Sequence, residues 1–377
     1  MRFQQTIGQQ QVKNLLRHMI QSGRLPHAQL FLGPPGCGKL SLALAFAQYL
    51  LCENRNGEDA CGICPACVKA AGMVHPDIHF SFPVVGTKMT SNQYLGQWRT
   101  ALQENPYLQI NQWLQAIGAE NKQGNINKEE CLNIIRKLSL KTFESTYKVL
   151  ILWLPEYLGK EGNRLLKLIE EPPENTVFLL VAEDSERILN TILSRCQIVK
   201  IHPLSDEELV SGLVEHKGVG EEQAWRIAPL ADGNFNEALR LMQEKSDDNA
   251  LLFLQWLRKC YKGNGVELVG WVEKFAKLGR ENQKHFLAYS LHFMREYLLL
   301  RLQVKDQVRL RGEELSTARN LVKVIGLEQI ESMTNLFNDC AYYVERNANP
   351  KILFLDASIQ LHKILRTPRP SQVQKAG

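Results

Sequence analysis

No apolar run in the 377 residues approaches the roughly 18 needed to cross a bilayer as a helix. The first ten residues, MRFQQTIGQQ, lack the apolar stretch of a secretory signal. Together these absences lead us to expect a cytoplasmic protein whose thiols stay reduced. Charge bias is also missing. Against 40 Asp and Glu stand 45 Lys and Arg, a net +5 spread along the chain, which permits contact with nucleic acid without arguing for it. Two further absences are local. GPPGCGKL (33–40) follows the phosphate-loop pattern G-x-x-x-x-G-K-[ST] through Gly33, Gly38 and Lys39 and then lacks the hydroxyl, with Leu40 in its place. KVLILWLPE (148–156) has the form of the later strand that should end in an acidic pair, but Trp153 and Leu154 stand there and Glu156 follows a proline.

Those two missing groups are the ones that hold magnesium in a working loop of this kind. What survives is the half that cradles phosphate: a strand, the glycines Gly33, Gly36 and Gly38, Lys39, and a helix whose N-terminus faces the anion. Ser41 is one residue late, about 100° around the helix, so its hydroxyl is expected to point away from a metal. Glu156 is expected to fall short of one. The residues thus suit a retained scaffold without hydrolysis, whose degenerate loop keeps at most a phosphate contact through Gly33, Gly36, Gly38 and Lys39.

The composition, 44% hydrophobic and 23% charged, is that of an ordinary globular chain long enough for two or three domains. Up to about residue 204, short apolar runs alternate with helical patterns. HAQLFLG (27–33), DIHFSFPVV (77–85), KVLILWL (148–154), TVFLLVA (176–182) and CQIVKIHPL (196–204) suit buried parallel strands. Helices are expected over Lys39–Leu51, Lys128–Leu138 and Gly162–Glu170. The expected fold is an α/β phosphate-loop core, a parallel sheet with helices on both faces. Residues 205–246 read as a small helical domain opened by the Ser205–Glu208 capping box, and 247–367 as a helical bundle. The tail 368–377 has no core-forming residues and is expected to be disordered. One stretch, 86–127, is Gln- and Asn-rich and carries Tyr94, Trp98, Tyr107 and Trp113. Aromatics beside Arg99 and Lys122 fit a single-strand-binding platform, but an inserted helical subdomain that buries the rings is the better reading.

Five of nine cysteines stand alone: Cys37, Cys131, Cys196, Cys260 and Cys340. They suit small buried hydrophobes. The other four, Cys52-x8-Cys61-x2-Cys64-x2-Cys67, supply four thiolates in a short polar loop, the donor set of a closed structural Zn²⁺ site. A redox pair would need only one C-x-x-C and a thioredoxin-like context that does not follow.

IGQQQVK, GRLPHAQLFLGPPGCGK, the four-cysteine knuckle followed by HPD, LLKLIEEPPENTVFLLV and ILSRC stand here in this order, with NANPKILFLDASIQL near the end. In this order they resemble subunits of the bacterial DNA polymerase III clamp loader, of the AAA+ class, over essentially the whole chain. The resemblance implies an ATPase-like core over 1–204, a helical lid over 205–246 and an oligomerising collar over 247–367. Within that family the damaged loop, the missing acidic pair and Asn236, where active relatives carry a nucleotide-sensing arginine, resemble the non-hydrolysing delta-prime type. It further implies that Arg195 of SRC is an arginine finger, supplied in trans to ATP held by a neighbouring gamma/tau subunit. The partners implied are the gamma/tau and delta subunits, the beta sliding clamp and primer-template DNA. ATP and Mg²⁺ are not expected in the chain's own site. The 86–127 insertion is no part of that pattern. Two alternatives stay open: a self-sufficient AAA+ ATPase of the gamma/tau type with unusual metal ligands, and a zinc-dependent nucleic-acid-binding protein.

Overall fold

A computed structural model describes residues 1–366 apart from 121, 244–246, 304–307, 309, 311, 323 and 324. The tail expected at 368–377 lies outside the described residues. The chain divides into two compact units, Met1–Arg240 and the residues from Leu241 onward.

The first unit is built on a five-stranded parallel sheet: β1 (Ala28–Leu32), β2 (Ile78–Ser81), β3 (Lys148–Trp153), β4 (Thr176–Ala182) and β5 (Gln197–Lys200). Their order across the sheet is β2-β3-β4-β1-β5, each neighbour paired in parallel. Every residue of β3 and β4 is buried, which is why both read as continuous apolar runs. Alternate side chains serve opposite faces. Phe31, Val149, Ile151 and Leu179 pack with Leu42 and Phe46 of helix α2 (Lys39–Leu51), on the side also covered by α1 (Gln10–Gln21). Leu30, Leu150, Phe178 and Leu180 pack on the other side, with Cys131, Ile134 and Leu138. The α/β phosphate-loop core, a parallel sheet with helices on both faces, is therefore present, as the sequence leads one to expect.

Three further helices matter for the site's surroundings. After α3 (Pro65–Ala71), the 86–127 stretch contributes α4 (Leu95–Glu104) and α5 (Ile110–Ala116). The two ends of that stretch are tied by the Val84 and Asn125 backbones, which bond each other in both directions at 2.9 and 2.8 Å. Its rings are core rather than surface. Trp98 and Trp113 are fully buried, Trp98 stacks on Phe82 with centroids 4.2 Å apart, and the Trp113 indole donates to the Pro83 carbonyl at 2.7 Å. Next comes α6 (Lys128–Ser139), whose C-terminal carbonyls at Leu138 and Leu140 accept from the buried Lys148 ammonium of β3.

The helix expected over Gly162–Glu170 is present, its first four residues as the end of a 3₁₀ stretch, Pro155–Leu165, and the rest as a short α7 (Leu166–Glu170). Gly159, at φ +50° and ψ −134°, kinks the 3₁₀ stretch before that helix. Then follow α8 (Asn190–Leu193), α9 (Asp206–Lys217), α10 (Glu221–Ala231) and α11 (Phe235–Gln243). The Ser205 hydroxyl accepts from the Glu208 N–H at 3.2 Å, the first half of the expected capping box, and Glu208 returns to the Ser205 N–H at 3.0 Å.

The second unit is helical, with α12 (Asp247–Lys262), α13 (Gly265–Phe275), α14 (Arg280–Arg301), α15 (Gly312–Leu321), α16 (Leu327–Glu345) and α17 (Pro350–Arg366). Its core is aromatic. Trp256 stacks on Trp271 at 5.4 Å, Phe275 and Phe354 meet edge to face at 4.5 Å, and the Trp256 indole donates to Ser358 at 2.8 Å. Among the described residues no helix is long and apolar enough to cross a membrane.

Candidate functional site

Strand order places the phosphate loop. β1 sits between β4 and β5, so the loop after it opens at the carboxyl edge of the sheet, beside the ends of β3 and β4, where open α/β sheets take their ligands. The Gly33 N–H donates to the Ala182 carbonyl at 3.3 Å and ties the loop to β4. Gly36 and Gly38 hold φ of +69° and +92°, a region that side-chain-bearing residues rarely adopt. A Cβ on Gly36 would lie 1.7 Å from the Asn234 Oδ1, and the Gly36 carbonyl accepts from the Phe235 N–H at 3.0 Å. Glycine is thus needed where the start of α11 lands on the loop.

Lys39 opens α2 and is only 5% exposed. Its Nζ donates to the Pro34 carbonyl at 2.6 Å and pairs with Glu183, at the end of β4, at 3.5 Å. Both partners are acceptors, so an incoming phosphate would compete with them for the ammonium and meet a carboxylate of its own sign. Ser41 is turned to the N-terminal segment, its hydroxyl 3.0 Å from that of Thr6. Glu156 does not serve a metal position either. Its Oε1 accepts from the Glu183 and Asp184 N–H groups, closing the turn after β4, and burial pushes its carboxyl above the usual range.

The mouth of the loop is filled from the insertion. Pro106, Tyr107 and Leu108 line it together with Gly36, Gly38, Lys39, Leu40, Trp153, Val181 and Glu183, and the cavity left is about 10 Å³. That is room for about one water. Three of the positions at which the sequence departs from the expected pattern, Leu40, Trp153 and Asn236, face inserted residues. Leu40 lines the cavity with Tyr107 and Leu108. Trp153 packs on Trp98 with centroids 5.1 Å apart. Asn236 accepts from the Asn105 side chain at 2.5 Å.

Arg195 stands apart from the loop, between α8 and β5 and about one-third exposed. Its guanidinium donates to the Thr191 carbonyl at 2.7 Å and to the Ser194 hydroxyl at 3.1 Å, and pairs with Glu170 of the EEPP segment. The side chain is thereby held as an oriented fork on the surface.

The four knuckle cysteines do converge. Cys52 ends α2, Cys64 caps α3 with Pro65 after it, and Cys67 lies in α3. All four sulfurs lie within 4.8 Å of one another. Tetrahedral Zn²⁺ with bonds of about 2.3 Å sets its sulfurs about 3.8 Å apart, so the donor set fits that ion with small adjustment. Backbone N–H groups already point at sulfur: Cys61 to Cys52 at 3.3 Å, Cys64 to Cys61 at 3.4 Å, and Cys67 to Cys64 at 3.4 Å. The N–H groups of Ile63 and Cys64 bring the Cys61 thiol down to about 6, whereas burial pushes Cys67 up to about 12. Next to the knuckle, Asp59 accepts from the Phe3 and Gln4 N–H groups at 3.0 and 2.9 Å, which staples the N-terminal segment to this loop.

Comparison with known proteins decides the family. A family model described as "DNA polymerase III, delta subunit" matches residues 8–205, more than half of the chain. The chain belongs to the DNA polymerase III clamp-loader family. Among curated relatives of this clamp-loader chain, DNA polymerase III subunit tau of Bacillus subtilis is 24% identical over 96% of the chain and 61% of the relative. DNA polymerase III subunit delta' of the same organism is 29% identical over 62% of the chain and 59% of the relative. The matches thus span about three-fifths of these relatives. A solved DNA polymerase III gamma subunit-related protein from Thermotoga maritima aligns over 94% of this chain and 99% of its own, at 14% identity and a TM-score of 0.38.

Sequence reasoning missed Glu183, Asn105 and Tyr107. Glu183 follows β4 with no local mark of its role. Tyr107 stood out only as one aromatic among four in a polar stretch.

Proposed function

We propose that this clamp-loader-family chain acts as a non-hydrolysing subunit of the delta-prime type. It works within an assembly with gamma/tau and delta subunits that places the beta sliding clamp on primer-template DNA. The observation that carries this reading is the state of the loop: the magnesium positions are Leu40 and Trp153, Lys39 is already paired with Glu183, and about 10 Å³ remains. A chain so built contributes to ATP chemistry only from outside its own site. Arg195 is the residue suited to it, a fork at the surface that would exchange Glu170 for the γ-phosphate of ATP on a gamma/tau neighbour. Fingers of this kind are worth roughly 10³ to 10⁵ in rate where they operate.

In this reading 1–204 is the ATPase-like core, 205–246 its lid and 247–367 the oligomerising collar. Cys52, Cys61, Cys64 and Cys67 hold a structural Zn²⁺, and the protein works in the cytoplasm. The test is ATP turnover by the purified chain, alone and with an intact gamma/tau-type partner. The isolated chain is expected to show none, and to raise the partner's clamp- and DNA-stimulated turnover. Magnesium-dependent turnover by the isolated chain that disappears in Lys39→Ala would contradict the proposal and identify a gamma/tau-type ATPase. Tight, salt-sensitive DNA binding by the isolated chain would point instead to a stand-alone nucleic-acid-binding protein.

A further inference from the structure

We propose that Asn105–Leu108 is a built-in ligand of the degenerate site: a turn of the chain's own insertion that joins the phosphate loop to α11 without nucleotide. The turn is braced by itself, with the Leu108 N–H donating to the Asn105 carbonyl at 3.2 Å and the Tyr107 N–H to the Asn105 side chain at 3.0 Å. From it contacts spread to three parts of the fold. Toward the loop, the Tyr107 ring edge lies 3.2 Å from where a Cβ on Gly38 would stand, a close approach at a residue whose φ of +92° already favours glycine. Toward α11, Tyr107 meets the Phe235 ring with centroids 4.8 Å apart, and Asn105 donates to Asn236. Toward the N-terminal segment, the Tyr107 hydroxyl accepts from the Ile7 N–H at 2.9 Å.

The turn is a wedge rather than a surface loop. Tyr107 is 5% exposed and Leu108 8% exposed. The insertion that carries it holds the Trp98–Trp113 pair, with centroids 5.1 Å apart, and is tied at its two ends by Val84 and Asn125. A diffusible ligand that touches both loop and lid stabilises their closed arrangement only to the extent that it is bound. A tethered one is present at a high effective concentration at all times. The loop and α11 are therefore fastened whatever the nucleotide level: Asn236 bonds the turn directly, and Leu40 and Trp153 line the cavity that the turn closes. This inference concerns only contacts within the chain and stands whichever clamp-loader role the chain plays.

Hydrogen exchange on the full chain tests it. In Tyr107→Ala, amides of Phe235–Gln243 are expected to exchange about tenfold faster or more, while those of α6 keep their wild-type rates. Unchanged exchange in α11 would overturn the proposal, as would equal acceleration in α6 and α11. Should Tyr107→Ala fail to fold, a double-mutant cycle of Asn105→Ala and Asn236→Ala replaces it. The pair is expected to be coupled by about threefold or more in the unfolding equilibrium, and strict additivity would count against the wedge. In parallel, about 1 mM ADP should leave the wild-type melting temperature unchanged, because the seat is taken; a clear rise would show that the turn yields to nucleotide and would overturn the inference.

Discussion

Single residues decide what the loop can do. Leu40 alone would be an oddity in an otherwise intact phosphate loop. Trp153, Asn236 and the Lys39–Glu183 pair make it one of several changes that point the same way. The Lys39 ammonium, which a nucleotide would use, is met by the Pro34 carbonyl and the Glu183 carboxylate instead. A second residue-scale consequence concerns pH. His79 on β2 is held down to about 4 by burial, with Lys137 and Lys148 adding to the effect. Its folded pKa is thus depressed below the ordinary value. The stability it contributes is complete above about pH 6.5 and is lost as pH falls toward 4. An NMR titration of the His79 ring should find a midpoint near 4, and a midpoint near 6.5 would contradict its burial. For the knuckle, metal analysis of the purified chain should find one zinc. Cys64→Ser should lose it and lower the melting temperature, since Asp59 and the N-terminal segment are fastened to the same loop. A metal-free wild-type chain of unchanged stability would remove the site.

At the scale of elements, the insertion is held by its aromatic cluster. Trp98 touches Phe82, Trp113 and Trp153, which joins α4 to β3. Trp98→Ala should therefore cost about 3–5 kcal/mol in urea unfolding, whereas a ring on a nucleic-acid platform would be removable at little cost. The legible elements are those whose signal is local. Lys39–Leu51 is the helix expected, residue for residue, because a glycine loop precedes it and an apolar pattern fills it. The four cysteines converge because their spacing is short. By contrast, Asn105 meets Asn236 across 131 positions and Lys39 meets Glu183 across 144, and contacts at such distances leave no periodicity to read. Over Gly162–Glu170 the helical pattern is legible but the helix type is not, since apolar spacing does not tell the 3₁₀ turn that ends at Leu165 from the α-helix Leu166–Glu170.

For the whole molecule, family and fold are shown, and the division of labour we propose rests on the site. A phosphate-loop domain without the usual metal groups, with its loop geometry kept and its mouth lined by its own insertion, is suited to a fixed place in an assembly. In the proposed role its contribution to catalysis runs through Arg195. The most direct measurement compares two variants in the reconstituted clamp loader with clamp and primed DNA saturating. Arg195→Ala should lower ATP turnover by the share of the one neighbouring site that loses its finger, with assembly unchanged, and Lys39→Ala should leave turnover at the wild-type rate. Unaltered turnover in Arg195→Ala, or its collapse in Lys39→Ala, would contradict the account.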